Sequence, residues 1–359
     1  MKIGFDAKRY FHNQTGLGNY SRDLVNTLVQ QFPENSYFLF DKKLSETELP
    51  KNTTVVQPSG NALLWRELGV MNEIQRIQPE VFHGLSNELP WGKWPSVTKK
   101  IVTIHDVIFK VFPEHYATID RFVYEKKTQH AIDVSDIIIA TSFATANDLK
   151  QYYTTNGDKI HVVYQTCGAL HWKNYSQAEI NDFKIKRQLE EPFMLYVSSF
   201  QTRKNHLQLL KAFHLLSNKN SRLVLAGKAK ETYADCVRFI AENGLGKRVR
   251  LVSDIDNSEL PLLYRSAQSF VYPSVVEGFG IPLIEAACAG LPIAANNIPV
   301  FNEIAPPDTS FFDVNKTEDI GVKMEDLMLM QNSNYSGHLN LFKPEYAARQ
   351  MMQIYTSGI

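Results

Sequence analysis

Cysteine is scarce in this chain: Cys167, Cys236 and Cys288 are the only three, an odd set with no CxxC spacing. Neither a disulfide framework nor a thiolate metal site fits that count, so thiols in a reducing compartment are expected. An excess of one charge is missing too. Lys plus Arg and Asp plus Glu both number 38, which leaves no basic surplus for a nucleic-acid partner. No apolar run approaches the roughly 18 residues that cross a bilayer. The first residues, Lys2-Ile3-Gly4-Phe5-Asp6, read directly as a strand with no leader-like segment before them. A cytoplasmic protein is expected, with room for peripheral contact at the inner face of the membrane. Internal repeats and low-complexity tracts are also lacking.

What the chain does have is length and alternation. Its 359 residues suffice for two ordinary domains, and 44% hydrophobic with 21% charged residues suits a packed protein. Short apolar strands alternate with amphipathic stretches, the pattern of α/β architecture with mostly parallel sheets. Strands are predicted at 2–6, 36–40, 53–57, 80–83, 100–104, 136–141 and 160–164, with helices at 18–31, 62–77, 120–132 and 143–152. Leu24, Leu28 and Phe32 give the first of these helices one apolar face. After a polar stretch at 172–188, strands recur at 193–199, 221–226, 249–252, 269–272, 292–295 and 309–312. Helices fit at 204–217, 230–243, 258–266, 282–289, 316–330 and finally 343–357. Two Rossmann-like doubly wound domains follow, with a hinge near 168–190. Such sheets take ligands at the carboxyl ends of their strands, and two facing sheets would make a cleft.

The most informative segment is 273–285, Pro-Ser-Val-Val-Glu-Gly-Phe-Gly-Ile-Pro-Leu-Ile-Glu. Pro282 suits the first position of a helix, where its missing N–H costs nothing. The amides of Gly278, Phe279, Gly280 and Ile281 would then line a positive helix N-terminus fit for phosphate or sugar oxygens. Glu277 in the loop and Glu285 in the first turn add two carboxylates. Acids beside a phosphate seat are awkward unless they accept hydroxyl protons, which points to a sugar nucleotide.

With these residues the chain resembles the GT-B-fold retaining glycosyltransferases of family four, also called group 1. The resemblance covers nearly the whole chain. It rests on Glu277 and Glu285 with seven residues between them, on Leu195 to Asn205 ending in Arg203-Lys204-Asn205, on Gly16-Leu-Gly-Asn-Tyr20, and on Thr103-Ile-His-Asp106. It implies an acceptor-side domain over 1–170, rejoined by a last helix at 343–359, and a donor-binding domain over 171–342. The implied activity is transfer of a hexosyl unit from a nucleotide-diphosphate sugar, the co-substrate in place of any cofactor, to a saccharide or lipid-linked acceptor in envelope or capsular polysaccharide synthesis.

The implied site follows residue by residue. Lys204, with Arg203 beside it, would clamp the diphosphate and stabilise its departing charge without proton transfer. Ser199 would donate to phosphate where many members carry a different pair from Ser198-Ser199. Glu285 would hold the ribose hydroxyls, and Glu277 would sit near the transferred sugar. Double displacement with Glu277 as nucleophile and a same-face route assisted by the leaving phosphate both fit; the resemblance favours the second. His105 would contact the donor sugar through a ring N–H or its carbonyl, with Asp106 orienting it or capping the next turn. Gly16 and Gly18 would let the first loop approach the diphosphate, while His83-Gly84 would border the acceptor. Glu303, Asn296 and Asn297 read as structural.

No cluster has metal-ligand spacing. Asp254-Ile-Asp256 has the letters of a metal-binding pair but reads as a helix-start turn before Asn257-Ser258-Glu259, so metal-independent transfer is expected. The rival readings are a nucleotide-sugar epimerase of the same fold and a non-catalytic sugar-nucleotide-binding partner subunit. Product from donor alone would mark the first; Glu277, Glu285 and Lys204 together argue against the second.

Overall fold

The computed structural model describes residues 1–13, 15–42, 49–58 and 65–358, so the first turn of the helix expected at 62–77 lies outside the described residues. The chain divides into two compact units, Met1–Gly168 with Leu341–Ile359, and Ala169–Asn340. The first is built on β1 (Lys2–Asp6), β2 (Ser36–Phe40), β3 (Thr53–Val56), β4 (Val81–Gly84), β5 (Lys99–Ile104), β6 (Ile137–Ala140) and β7 (Ile160–Val162). They pair in parallel in the order β3-β2-β1-β4-β5-β6-β7.

Strand chemistry explains why this sheet is covered on both faces. Neighbouring residues of one strand enter different cores, as the two-residue period of a strand requires. Leu39, Val81, Ile101 and Ile139 join the core beneath the helix Gly16–Gln31. Phe40, Phe82, Val102 and Ile138 join the opposite one with Trp65, Ile74 and Leu149. Strands buried on both faces need continuous apolar runs rather than alternation, which is how they read in sequence.

The last helix, Pro344–Thr356, packs against Gly16–Gln31 of the first unit. A fully buried polar chain ties it down. Tyr355 hydroxyl and His83 Nδ1 are 2.7 Å apart, His83 Nε2 and Thr103 Oγ1 are 2.7 Å apart, and Tyr20 hydroxyl meets Thr103 Oγ1 at 2.9 Å. From β5, Lys99 Nζ donates to the carbonyl of Tyr355 at 2.9 Å, a cation on the negative end of that helix. His83 is 0% exposed, so it braces the last helix and does not border an acceptor as the sequence suggested.

The second unit repeats the plan with β8 (Met194–Val197), β9 (Leu223–Ala226), β10 (Val249–Val252), β11 (Ser269–Tyr272), β12 (Ile293–Asn296) and β13 (Ser310–Phe312). All pair in parallel in the order β10-β9-β8-β11-β12-β13. One correction concerns the polar stretch at 172–188. It holds the helix Gln177–Arg187, started by a capping box in which Ser176 and Glu179 satisfy each other's backbone amides. Arg187 of this helix pairs with Asp254 at 2.9 Å, and the Asp256 carbonyl accepts the Glu259 amide. Asp254-Ile-Asp256 is thus a helix-start turn.

Candidate active site

Chain order reverses in the second sheet between β8 and β11, and the segments leaving those two strands bring Arg203, Lys204 and Glu277 together. After β8 a short turn, Thr202–Lys204, ends at Asn205 in the left-handed region (φ 60°). The Val275 amide donates to the Arg203 carbonyl at 2.9 Å, stitching this turn to the loop after β11. Tyr196 locks it from beneath, donating to the Lys204 carbonyl at 2.7 Å.

As a result Arg203 and Lys204, adjacent in sequence, reach the two oxygens of one carboxylate. Lys204 Nζ sits on Glu277 Oε1, and Arg203 Nη1 lies 3.1 Å from Oε2. The Tyr272 hydroxyl donates to Oε1 at 2.9 Å. Burial by itself would raise the Glu277 pKa, but the Lys204 and Arg203 charges outweigh it and hold the group at about 2. Two cations against one carboxylate leave the cluster with a surplus positive charge. Ser199, at the end of β8, donates instead to Gln201 Oε1 at 3.1 Å.

Glu285 is not in the first turn as expected. The helix runs Ile281–Cys288, with Pro282 at its second position, so Glu285 lies one turn further in. It is 7% exposed and occupies a separate cluster. Tyr264 donates to its Oε2 at 2.7 Å, and His171 Nε2 stands 3.4 Å from Oε1. Burial lowers the His171 pKa although Glu285 opposes it.

The segment between the glutamates is shaped by packing. Phe279 is buried at 3% exposure. Gly280 takes φ 110°, and a Cβ there would stand 2.8 Å from the Phe301 ring, so glycine is required on both counts. Gly278 and Ile281 flank this turn and are half-buried. Asn296 fixes the loop from β12, donating to the Ser274 carbonyl at 2.9 Å and accepting the Val314 amide at 3.2 Å.

In the first unit His105 follows β5 and is 6% exposed. Its Nε2–H donates to the Leu85 carbonyl at 2.8 Å, and its Nδ1 accepts from Gln165 at 2.6 Å. Its carbonyl accepts the Thr141 hydroxyl at 3.0 Å and the Thr145 hydroxyl at 3.3 Å. Both groups expected to meet a donor sugar are therefore occupied by protein, and burial depresses the ring's pKa to about 4. Asp106 caps the next turn, accepting the Ile108 amide at 3.1 Å. Gly16 and Gly18 lie in the first turn of the helix Gly16–Gln31, not in a loop before it. A Cβ on Gly18 would fall 1.8 Å from the Asn13 carbonyl oxygen, so its bareness serves the chain's own backbone.

Sequence reasoning passed over Tyr272, Tyr264, Tyr196 and His171. Tyr272 ends β11, five residues before Glu277, and a polar-tipped aromatic at a strand's carboxyl end was a readable signal. Tyr196 lies on β8 within the Leu195–Asn205 stretch, while Tyr264 and His171 approach from distant segments and carried no signal. Among the described residues no three His, Cys, Asp or Glu side chains stand together as metal ligands.

The chain is similar to known proteins in sequence and in fold. Residues 177–336 match the family of Glycosyl transferases group 1, and residues 15–166 match Glycosyltransferase Family 4. The O-antigen chain mannosyltransferase B of Escherichia coli is 26% identical over 328 residues, 85% of this chain and 84% of its own. Sucrose-phosphate synthase from Thermosynechococcus elongatus superposes at a TM-score of 0.76 and 18% identity, over 99% of this chain and 98% of that one. Anabaena Alr3699/HepE, solved with UDP and glucose, gives 0.75 and 17% over 99% and 100%. The two matched regions fall on the two sheets in order, with Arg203, Lys204, Glu277 and Glu285 inside the first-named match; the chain belongs to the group 1 glycosyltransferases of GT-B fold.

Proposed function

We propose that this chain is a retaining, metal-independent hexosyltransferase. It takes its sugar from a nucleotide-diphosphate donor and passes it to a saccharide or lipid-linked acceptor in cell-envelope polysaccharide synthesis, the setting named for its Escherichia coli relative. The observation that carries this reading is Glu277 held between Lys204 and Arg203 where the second sheet reverses its strand order. As the diphosphate leaves, negative charge grows on its oxygens and positive charge on the sugar ring. Lys204 and Arg203 answer the first without a metal ion, and ionised Glu277 answers the second. A carboxylate held at a pKa of about 2 by two cations is a weak nucleophile. That favours the same-face route over double displacement. Glu285, aligned by Tyr264, accepts the ribose hydroxyls.

A nucleotide screen tests the reading. GDP or UDP should raise the melting temperature, since a ligand of the folded state stabilises it. Transfer should keep the donor's anomeric configuration and survive a chelator. No shift with any nucleoside diphosphate would remove the function; inversion, or loss of activity to the chelator, would remove the mechanism.

Peripheral contact with the inner membrane face is part of the proposal. No helix among the described residues is long and apolar enough to cross a bilayer. The helix Thr118–Val134, however, leaves Ile119 79%, Phe122 63% and Val123 42% exposed at helical spacing, near Arg121 and Lys126.

A further inference from the structure

We propose that the carboxyl edge of the first sheet seats one pyranose ring of the acceptor, with Trp91 as the stacking face and Glu88 accepting ring hydroxyls. This rests on the reading that the acceptor carries a sugar. The seat lies where chain order reverses between β1 and β4, the place at which such sheets take ligands. Asp6 ends β1; Glu88 and Trp91 follow β4. With Arg66 and Lys127 they line one small surface hollow, too narrow to enclose a ring, so the sugar would lie on the exposed indole.

Arg66 organises it. Its Nε and Nη2 donate to Asp6 Oδ1 at 3.1 Å and Oδ2 at 2.6 Å, and its Nη1 sits on Glu88 Oε2. Lys127 Nζ adds a contact to the same Oε2 at 3.2 Å. No described residue donates to Glu88 Oε1, so the carboxylate is fixed on one side and open on the other. Beside it the Trp91 indole is 40% exposed. His130 stacks on one face, 3.4 Å between centroids and 9° between planes, which leaves the exposure to the other face and the edges. An ion network that merely braced loops would have no use for a large aromatic left open against it. A pyranose presents an apolar C–H face and a rim of hydroxyls, and a rigid indole beside a clamped carboxylate is complementary to both.

Saturation-transfer NMR on the full chain tests this, using the methyl glycosides of mannose, glucose, galactose and N-acetylglucosamine. GDP and UDP are titrated in parallel. At least one glycoside should bind the native protein, and Trp91→Ala and Glu88→Gln should each weaken it by about tenfold. Nucleotide affinity should stay unchanged in both variants, which also reports that they fold. Glycoside binding untouched by either substitution, or absent from the native chain, overturns the seat while leaving the donor site intact. Loss of nucleotide binding in the native chain would instead overturn the enzyme reading itself.

Discussion

Lys204 and Glu277 form an ion pair buried at both ends, with 10% and 9% of their side chains exposed. Removing the lysine leaves Glu277 to Arg203 and Tyr272 in a poorly solvated place, so the cost falls on stability as well as on rate. Lys204→Met should lower stability by about 1–3 kcal/mol and turnover by about two decades. Adding Glu277→Gln should return much of the stability but none of the turnover, because the two losses have different origins. Urea titrations and kcat for the single and double variants check this; near-native turnover in Lys204→Met would contradict the clamp.

Tyr264 and Glu285 make a second, separable prediction. The tyrosine hydroxyl holds one carboxylate oxygen at 2.7 Å, and without it His171 is what aligns Glu285 among the described residues. Tyr264→Phe should weaken nucleotide binding by about 1.5–3 kcal/mol, the worth of a hydrogen bond to a charged acceptor. Turnover at saturating donor should change little. Calorimetry with GDP and UDP, set beside kcat, separates the two; a fall in kcat with unchanged affinity would refute a ribose-side role.

Most of the fold was legible because parallel strands buried on both faces must be apolar throughout, and every predicted strand is present within a residue or two. The helix Gln177–Arg187 was not, since only Phe183 is buried along it and periodicity had no apolar face to report. Its capping box, Ser176-x-x-Glu179, was the available signal. The short helices Lys8–His12 and Pro299–Ile304 are too brief for a period to show. At the site, the charged residues stood out by spacing, but their partners are fixed by tertiary packing. His105 and Gly18 show the opposite limit. His105 meets the Leu85 carbonyl and the Gln165 amide from segments no local motif names, and Gly18 closes on the Asn13 carbonyl just before it.

The exposed face of the helix Thr118–Val134 predicts a measurable membrane preference. Ile119 and Phe122 would each contribute about 2 kcal/mol on leaving water, and anionic headgroups would add to it through Arg121 and Lys126. The native chain should sediment with phosphatidylglycerol vesicles more than with neutral ones. Ile119→Ser with Phe122→Ser should stay in the supernatant at an unchanged melting temperature, because neither side chain is buried. Equal sedimentation of the double variant would refute this face as the contact.

Two buried histidines should make the first unit sensitive to acid. Burial holds His105 at about 4 and His83, with His105 adding to it, at about 3, against an ordinary 6.5. An unfolded chain protonates both near 6.5 while the folded one keeps them neutral, so the unfolded state binds more protons as pH falls below that value. Their contribution is complete above pH 6.5 and is lost on descending towards pH 4, at about 1.4 kcal/mol per pH unit for each histidine. Glu277 acts lower: its pKa falls from 4.5 to about 2 on folding, so its share is lost between those values. Urea midpoints measured from pH 7 to pH 5 therefore isolate the histidines. His105→Gln lowers stability at pH 7 by disturbing its partners, yet the decline from pH 7 to pH 5 should be shallower than in the native chain. An identical decline in both would mean that His105 binds its proton equally well in the folded and unfolded chain, so that burial does not depress it.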